Sequence, residues 1–171
     1  LAWLQNGYAD RAIAVLSEGL KVHSDNPALL GAMARAQTEW GDLSTARFYL
    51  DQALAQAPDQ NELVSQDLDL ALASGDPEAA RKAVDRILAL DAMEPALLLR
   101  HLTDLLDRGP TELSERMASR SMAWFPDNLA ILSAAVATLE KTGNLDEAAA
   151  AAARIADLTG AWDDAILLAR L

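Results

Sequence analysis

Gly7, Gly41, Gly75, Gly109 and Gly143 fall at a constant interval of 34 residues. A fixed period of that length means that one supersecondary unit is copied along the chain, so the unit sets the fold. Neighbouring positions keep step with the glycines. Five residues beyond each comes a small residue: Ala12, Ala46, Ala80, Ser114 and Ala148. Four further on come Leu16, Leu50, Val84, Ala118 and Ala152. Pro58 and Pro126 stand two periods apart, with Ala92 at the place between them.

Each unit reads as helix, turn, helix. Half of the residues are apolar and only 5% aromatic, the bulk being Ala and Leu, so helix propensity is high. Leu30, Met33, Ala34 and Gln37 share one helical face, as do Leu132, Ala135, Val136 and Leu139. "DNP" at 25–27 opens a helix with Asp25 or Asn26 as cap and Pro27 in its first turn, and "EP" at 94–95 does likewise. Each glycine is expected to end a first helix in a positive-φ conformation, leaving Asp42, Asp76 and Asn144 to cap the second.

This spacing and residue pattern resembles the tetratricopeptide repeat. The second copy supplies Leu30, Met33, Ala34, Gln37, Ala46, Leu50, Ala53 and Pro58 at the family's signature places. The third supplies Val64, Asp67, Leu68, Ala71, Ala80, Val84, Ile87 and Ala92. The resemblance implies an all-α fold, a right-handed α-solenoid (superhelix) of about five helix pairs. It divides a single array into a partial first repeat at 1–26, then 27–60, 61–94, a divergent 95–128, 129–162 and the start of a further helix at 163–171. Leu1 in place of Met, and the uncapped apolar face of "AWDDAILLARL", suggest a segment of a longer protein.

Departures from the pattern mark places for structural attention. Gln37, Asp67 and His101 stand where the family prefers apolar residues. In "RGPTELSERMASRSMAWFPDN", Ser114 replaces the crossing Ala and Pro110 follows the glycine, so the second helix of that copy is expected to be displaced or shortened. The run "AAAAAA" at 148–153 suits close helix packing. Trp124 and Phe125 are expected to pack into the next unit, and Trp3, Trp40 and Trp162 to be buried in the same way.

Composition narrows the function. There are 26 acidic and 14 basic residues, a net charge of −12, which opposes binding to nucleic acid or to an anionic membrane surface. Cysteine is absent, so disulfides and thiolate chemistry are excluded. The longest apolar runs fall short of a membrane span. His23 and His101 lack metal-ligand spacing and read as packed or half-exposed imidazoles. Asp67/Asp69, Asp104/Asp107 and Asp163/Asp164 read as solvated faces rather than acid–base pairs. With no phosphate loop or nucleophile motif, no catalytic residue and no cofactor is assigned.

The expected activity is that of a non-catalytic protein–protein interaction scaffold, an adaptor of the bacterial assembly, secretion or envelope type, in the cytoplasm or periplasm. The family resemblance places a peptide or partner helix on the concave face formed by first helices. Its inward positions map to Arg35, Thr38, Glu39, Glu62, Ser65, Asp69, Arg100, Thr103, Asp107, Glu140 and Lys141. A Lys/Asn/Arg clamp for a C-terminal carboxylate is not matched: the corresponding places hold Gly31, Arg35, Ser65, Asp69, Leu99 and Thr103, with Arg100 the one cation that fits. Two other roles stay open, an accessory domain of a larger enzyme such as a transferase, and homo-oligomerisation through uncapped repeat ends.

Overall fold

A computed structural model describes residues 2–160, with side chains from residue 8 onward. Among these residues every regular element is an α-helix. The order is α1 Ala2–Val22, α2 Pro27–Trp40, α3 Leu43–Gln56, α4 Asn61–Ser74, α5 Pro77–Ala89, α6 Pro95–Arg108, α7 Thr111–Trp124, α8 Leu129–Thr142 and α9 Leu145–Thr159. Helices α2, α4, α6 and α8 start 34 residues apart, and so do α3, α5, α7 and α9. The fold is an all-α helical-repeat solenoid.

The chain divides into two compact units, Leu1–Ile87 and Leu88–Leu171. In the first, α1 packs on α2, α2 on α3, and α3 on α4, while α2 also touches α4. Its fully buried large side chains include Leu30, Met33, Leu50 and Leu63. In the second, α6 packs on α7 and on α8, α7 on α8, and α8 on α9, with Leu102, Leu105, Met117 and Ile131 fully buried. Each such leucine or methionine contributes about 1.5–3 kcal/mol by leaving water. The alanines that the period aligned, Ala46, Ala80 and Ala148, are buried as well, because a methyl group at a helix crossing lets two backbones approach.

Helix ends follow local chemistry. The Asn26 side chain accepts hydrogen bonds from the amides of Ala28 (3.0 Å) and Leu29 (3.1 Å), so Asn26 rather than Asp25 is the cap. Asn128 repeats this arrangement toward Ala130 and Ile131. Asp42 accepts from the Thr45 amide at 3.0 Å, and Asp76 accepts from the amides of Glu78 and Ala79. The hydroxyl and amide of Thr45, followed by the Ser44 hydroxyl, draw the Asp42 carboxyl down to about 2. Asn144 departs from expectation: it makes no side-chain cap, and its amide nitrogen donates to Glu147 at 3.0 Å.

The glycines separate into three kinds. Gly41, Gly75 and Gly143 end first helices with φ between 66 and 92°, as the period requires. Gly7 does not: it lies inside α1, which runs unbroken from Ala2 to Val22. Gly109 has φ −90° and ψ 166°, because a residue before proline is driven into extended backbone. It still has to be glycine, since a Cβ there would lie 2.8 Å from the Leu105 carbonyl oxygen. Pro110 then opens α7, which is a full 14 residues long, so the expected shortening of this helix does not occur. Proline supplies the φ of a helix start and removes an amide that would have no partner there.

Candidate interaction cleft

One cleft in the first unit brings several of the sequence-derived positions together. Ala28, Ala32, Arg35 and Glu39 recur along one face of α2, with Gly31 beside them. Helix α1 adds Ala12 and Leu16, one turn apart, and α4 adds Glu62, Leu63 and Gln66. The volume of this open cleft is about 370 Å³. Its floor is made of small apolar side chains, and Gly31 fixes its shape. A Cβ on Gly31 would stand 2.5 Å from Cδ2 of the buried Leu63, so the approach of α4 to α2 depends on that missing methyl group.

The rim is polar and ordered. Arg35 donates to Glu62, and each of these side chains is about half exposed, so the pair is worth well under about 1 kcal/mol in stability. Its effect is to fix the guanidinium. In the Gln66 orientation that satisfies both ends of the amide, the nitrogen donates to the Gly31 carbonyl at 2.9 Å and the oxygen accepts from Arg35 at 3.1 Å. Glu39 stands exposed at the far end of the same α2 face.

The other residues assigned to the concave face are placed differently. The Thr38 hydroxyl donates back to the Ala34 carbonyl at 2.9 Å. Ser65 is buried and Asp69 half-buried. In the second unit, the exposed Thr103 hydroxyl donates to the Leu99 carbonyl. Lys141 lies 4.0 Å from Asp107 and donates to the Leu106 carbonyl at 3.1 Å, near the end of α6. Arg100 and Glu140 are exposed. The apolar floor lies outside the set of polar concave-face positions that the repeat pattern points to. Its signal was the cluster Ala28, Gly31 and Ala32 on a single helical face.

Several polar residues set aside as surface or as departures turn out to be structural. Asp67 is only 4% exposed, and both of its oxygens are taken, one by Arg47 of α3 and the other by Arg86 of α5. It is therefore a buried ionic tie across three helices rather than a solvated carboxylate. Asp104 accepts from Arg108 at 2.8 Å. His101 is fully buried, and its pKa falls to about 4, chiefly through loss of solvent and secondarily through the nearby Arg100 charge.

The tryptophans divide. Trp40 is 49% exposed, against the expectation of burial. Trp124 is half-buried, with Arg120 stacked 4.9 Å above its ring. Trp3, Trp162 and the Asp163/Asp164 pair lie outside the described side chains. In the alanine run, Ala148 and Ala151 are buried, whereas Ala149, Ala150 and Ala152 are exposed. Among the described residues no helix is long and apolar enough to cross a membrane.

Comparison with known proteins agrees with this architecture. Residues 4–66 match the family model described as tetratricopeptide repeat. No curated protein matches in sequence. A solved tetratricopeptide repeat protein of Parabacteroides merdae superposes with a TM-score of 0.55 at 21% identity, covering 85% of this chain and 57% of that one. The MamA protein gives 0.60 at 16% identity, over 89% of this chain and 83% of its own. A thermophilic tetratricopeptide protein of Thermus thermophilus gives 0.52 at 21%, over 94% and 92%. Proteins of this fold bind other proteins and are typically non-catalytic scaffolds. The family model covers residues 4–66, and helices that start every 34 residues carry the same tetratricopeptide-like fold on through residue 159.

Proposed function

We propose that the chain is a protein-interaction adaptor that receives a segment of its partner in the α1–α2–α4 cleft. The observation that carries this reading is the cleft itself. Small side chains on α1 and α2 leave an apolar floor open, and a fixed Arg35–Glu62–Gln66 rim borders it. Such a surface suits an apolar segment with a few polar contacts, which is how grooves between helices take peptides. Among the described residues that line the cleft, none forms the pairing of nucleophile and base that acyl or phosphoryl transfer needs.

The test is selection from a displayed random-peptide library on the immobilised chain, run in parallel on an Ala32→Arg variant. Arginine is a good helix former, and Ala32 is half-exposed, so the substitution fills the cleft without disturbing the core. Peptides enriched by the wild type and lost by Ala32→Arg are the expected outcome. Enrichment of the same peptides by both proteins would overturn the assignment of the cleft.

A further inference from the structure

Within the first unit the same α-helical surface occurs twice with different surroundings. On α3, Ala46 and Leu50 are completely buried, and α3 packs on both α2 and α4. One period earlier, Ala12 and Leu16 on α1 are half-exposed and form a wall of the cleft. The face that α2 turns to the core of the unit carries Leu30, Met33 and Ala34, all buried. A helix laid over Ala12 and Leu16 would repeat a packing that the unit already contains. An extended peptide would leave its backbone amides and carbonyls against alanine methyl groups, with few partners.

Charge selects among helices. Arg35 is neutralised by Glu62, so the charge left on the rim comes from Glu39. The first 87 residues hold 13 acidic and 7 basic side chains, so the surrounding field is negative too. Resting on the cleft assignment above, we infer that the occupant is a cationic amphipathic α-helix of a partner protein. It presents a large–x–x–large–small apolar face to Ala12, Leu16 and Ala32 and a lysine or arginine toward Glu39.

The probe is a synthetic helix of 14 residues, the length of α2, with Leu, Met and Ala spaced as Leu30, Met33 and Ala34 and lysines on its outer face. Its binding to the full chain is read by fluorescence anisotropy. Expected results are saturable binding, loss of about tenfold or more when glutamates replace the lysines, and a similar loss when a central proline breaks the helix. Glu39→Gln should weaken the lysine helix about threefold to fivefold, and the effect should shrink at high salt. Ala32→Arg should abolish binding. Equal affinity for the glutamate or proline peptides, or no binding of the lysine helix to the wild type, would overturn this inference. The cleft assignment is judged separately: cleft-dependent library peptides that are neither helical nor basic would preserve it while the cationic-helix reading fails.

Discussion

Asp67 and His101 both occupy places where the repeat pattern calls for an apolar side chain, and the structure accommodates them by different means. Asp67 is held by Arg47 and Arg86, which converge on its two carboxylate oxygens. Asp67→Ala should therefore destabilise the fold by about 2 kcal/mol, measured by urea unfolding, since two guanidinium groups lose their shared partner. Replacing all three residues with Leu at 67 and Met at 47 and 86 should recover most of that loss. His101 is accommodated by losing its proton. Its folded value of about 4 lies below the 6.5 of an exposed imidazole, so between these values the unfolded chain binds the extra proton. The stabilising contribution is complete above pH 6.5 and is lost as pH falls toward 4. At about 1.4 kcal/mol per pH unit this amounts to roughly 3 kcal/mol. His101→Leu should flatten that part of the pH–stability curve, and NMR titration of the imidazole should show it neutral at pH 5.5.

At the level of helices and turns, the glycine C-caps offer a clean test of backbone strain. At Gly41 a Cβ would meet nothing within 4 Å, so any cost of substitution there is conformational, set by its φ of 92°. Gly41→Ala should lower stability by about 1–2 kcal/mol, and Gly41→Asn by less, because asparagine tolerates left-handed backbone better. Thermal unfolding of the two variants decides it.

These turns also show what could be read without coordinates. Glycine and Asx punctuation placed the α2, α3, α4 and α8 boundaries, because φ preference and capping are local properties. It failed at Gly7, where one glycine inside an otherwise strong helical sequence, at a cost of only about 1 kcal/mol, did not stop α1. It also failed at Gly109–Pro110, where Pro110 and Ser114 pointed to a displaced or shortened helix but α7 runs its full 14 residues from the proline. The cleft was half legible. Arg35, Glu39 and Glu62, assigned to the concave face from their positions on first helices, line it. Ala12 and Leu16 were not, because their exposure depends on what packs over them rather than on their own chemistry.

Across the whole molecule the dominant number is the charge of −12. The described ion pairs are mostly exposed, such as Glu78–Arg81 and Asp127–Arg154, and local pairing does not cancel the excess of carboxylates. Mutual repulsion should make the fold salt-dependent: raising NaCl from 20 mM to 0.5 M at pH 7.5 should lift Tm by roughly 2–5 °C. A fall of Tm over that range would mean that the ion pairs outweigh the repulsion. The regular spacing of helix starts also has a genetic consequence. Removing or duplicating 34 codons from within 27–142 rejoins one Asx or proline start to another and one glycine stop to another, so the reading of helices downstream stays intact. An insertion inside a helix that does not approach a whole number of turns rotates the remaining side chains of that helix by about 100° per residue against their neighbours. Length variants among descendants of this gene should therefore cluster at multiples of 102 nucleotides, with other insertions confined to the turns.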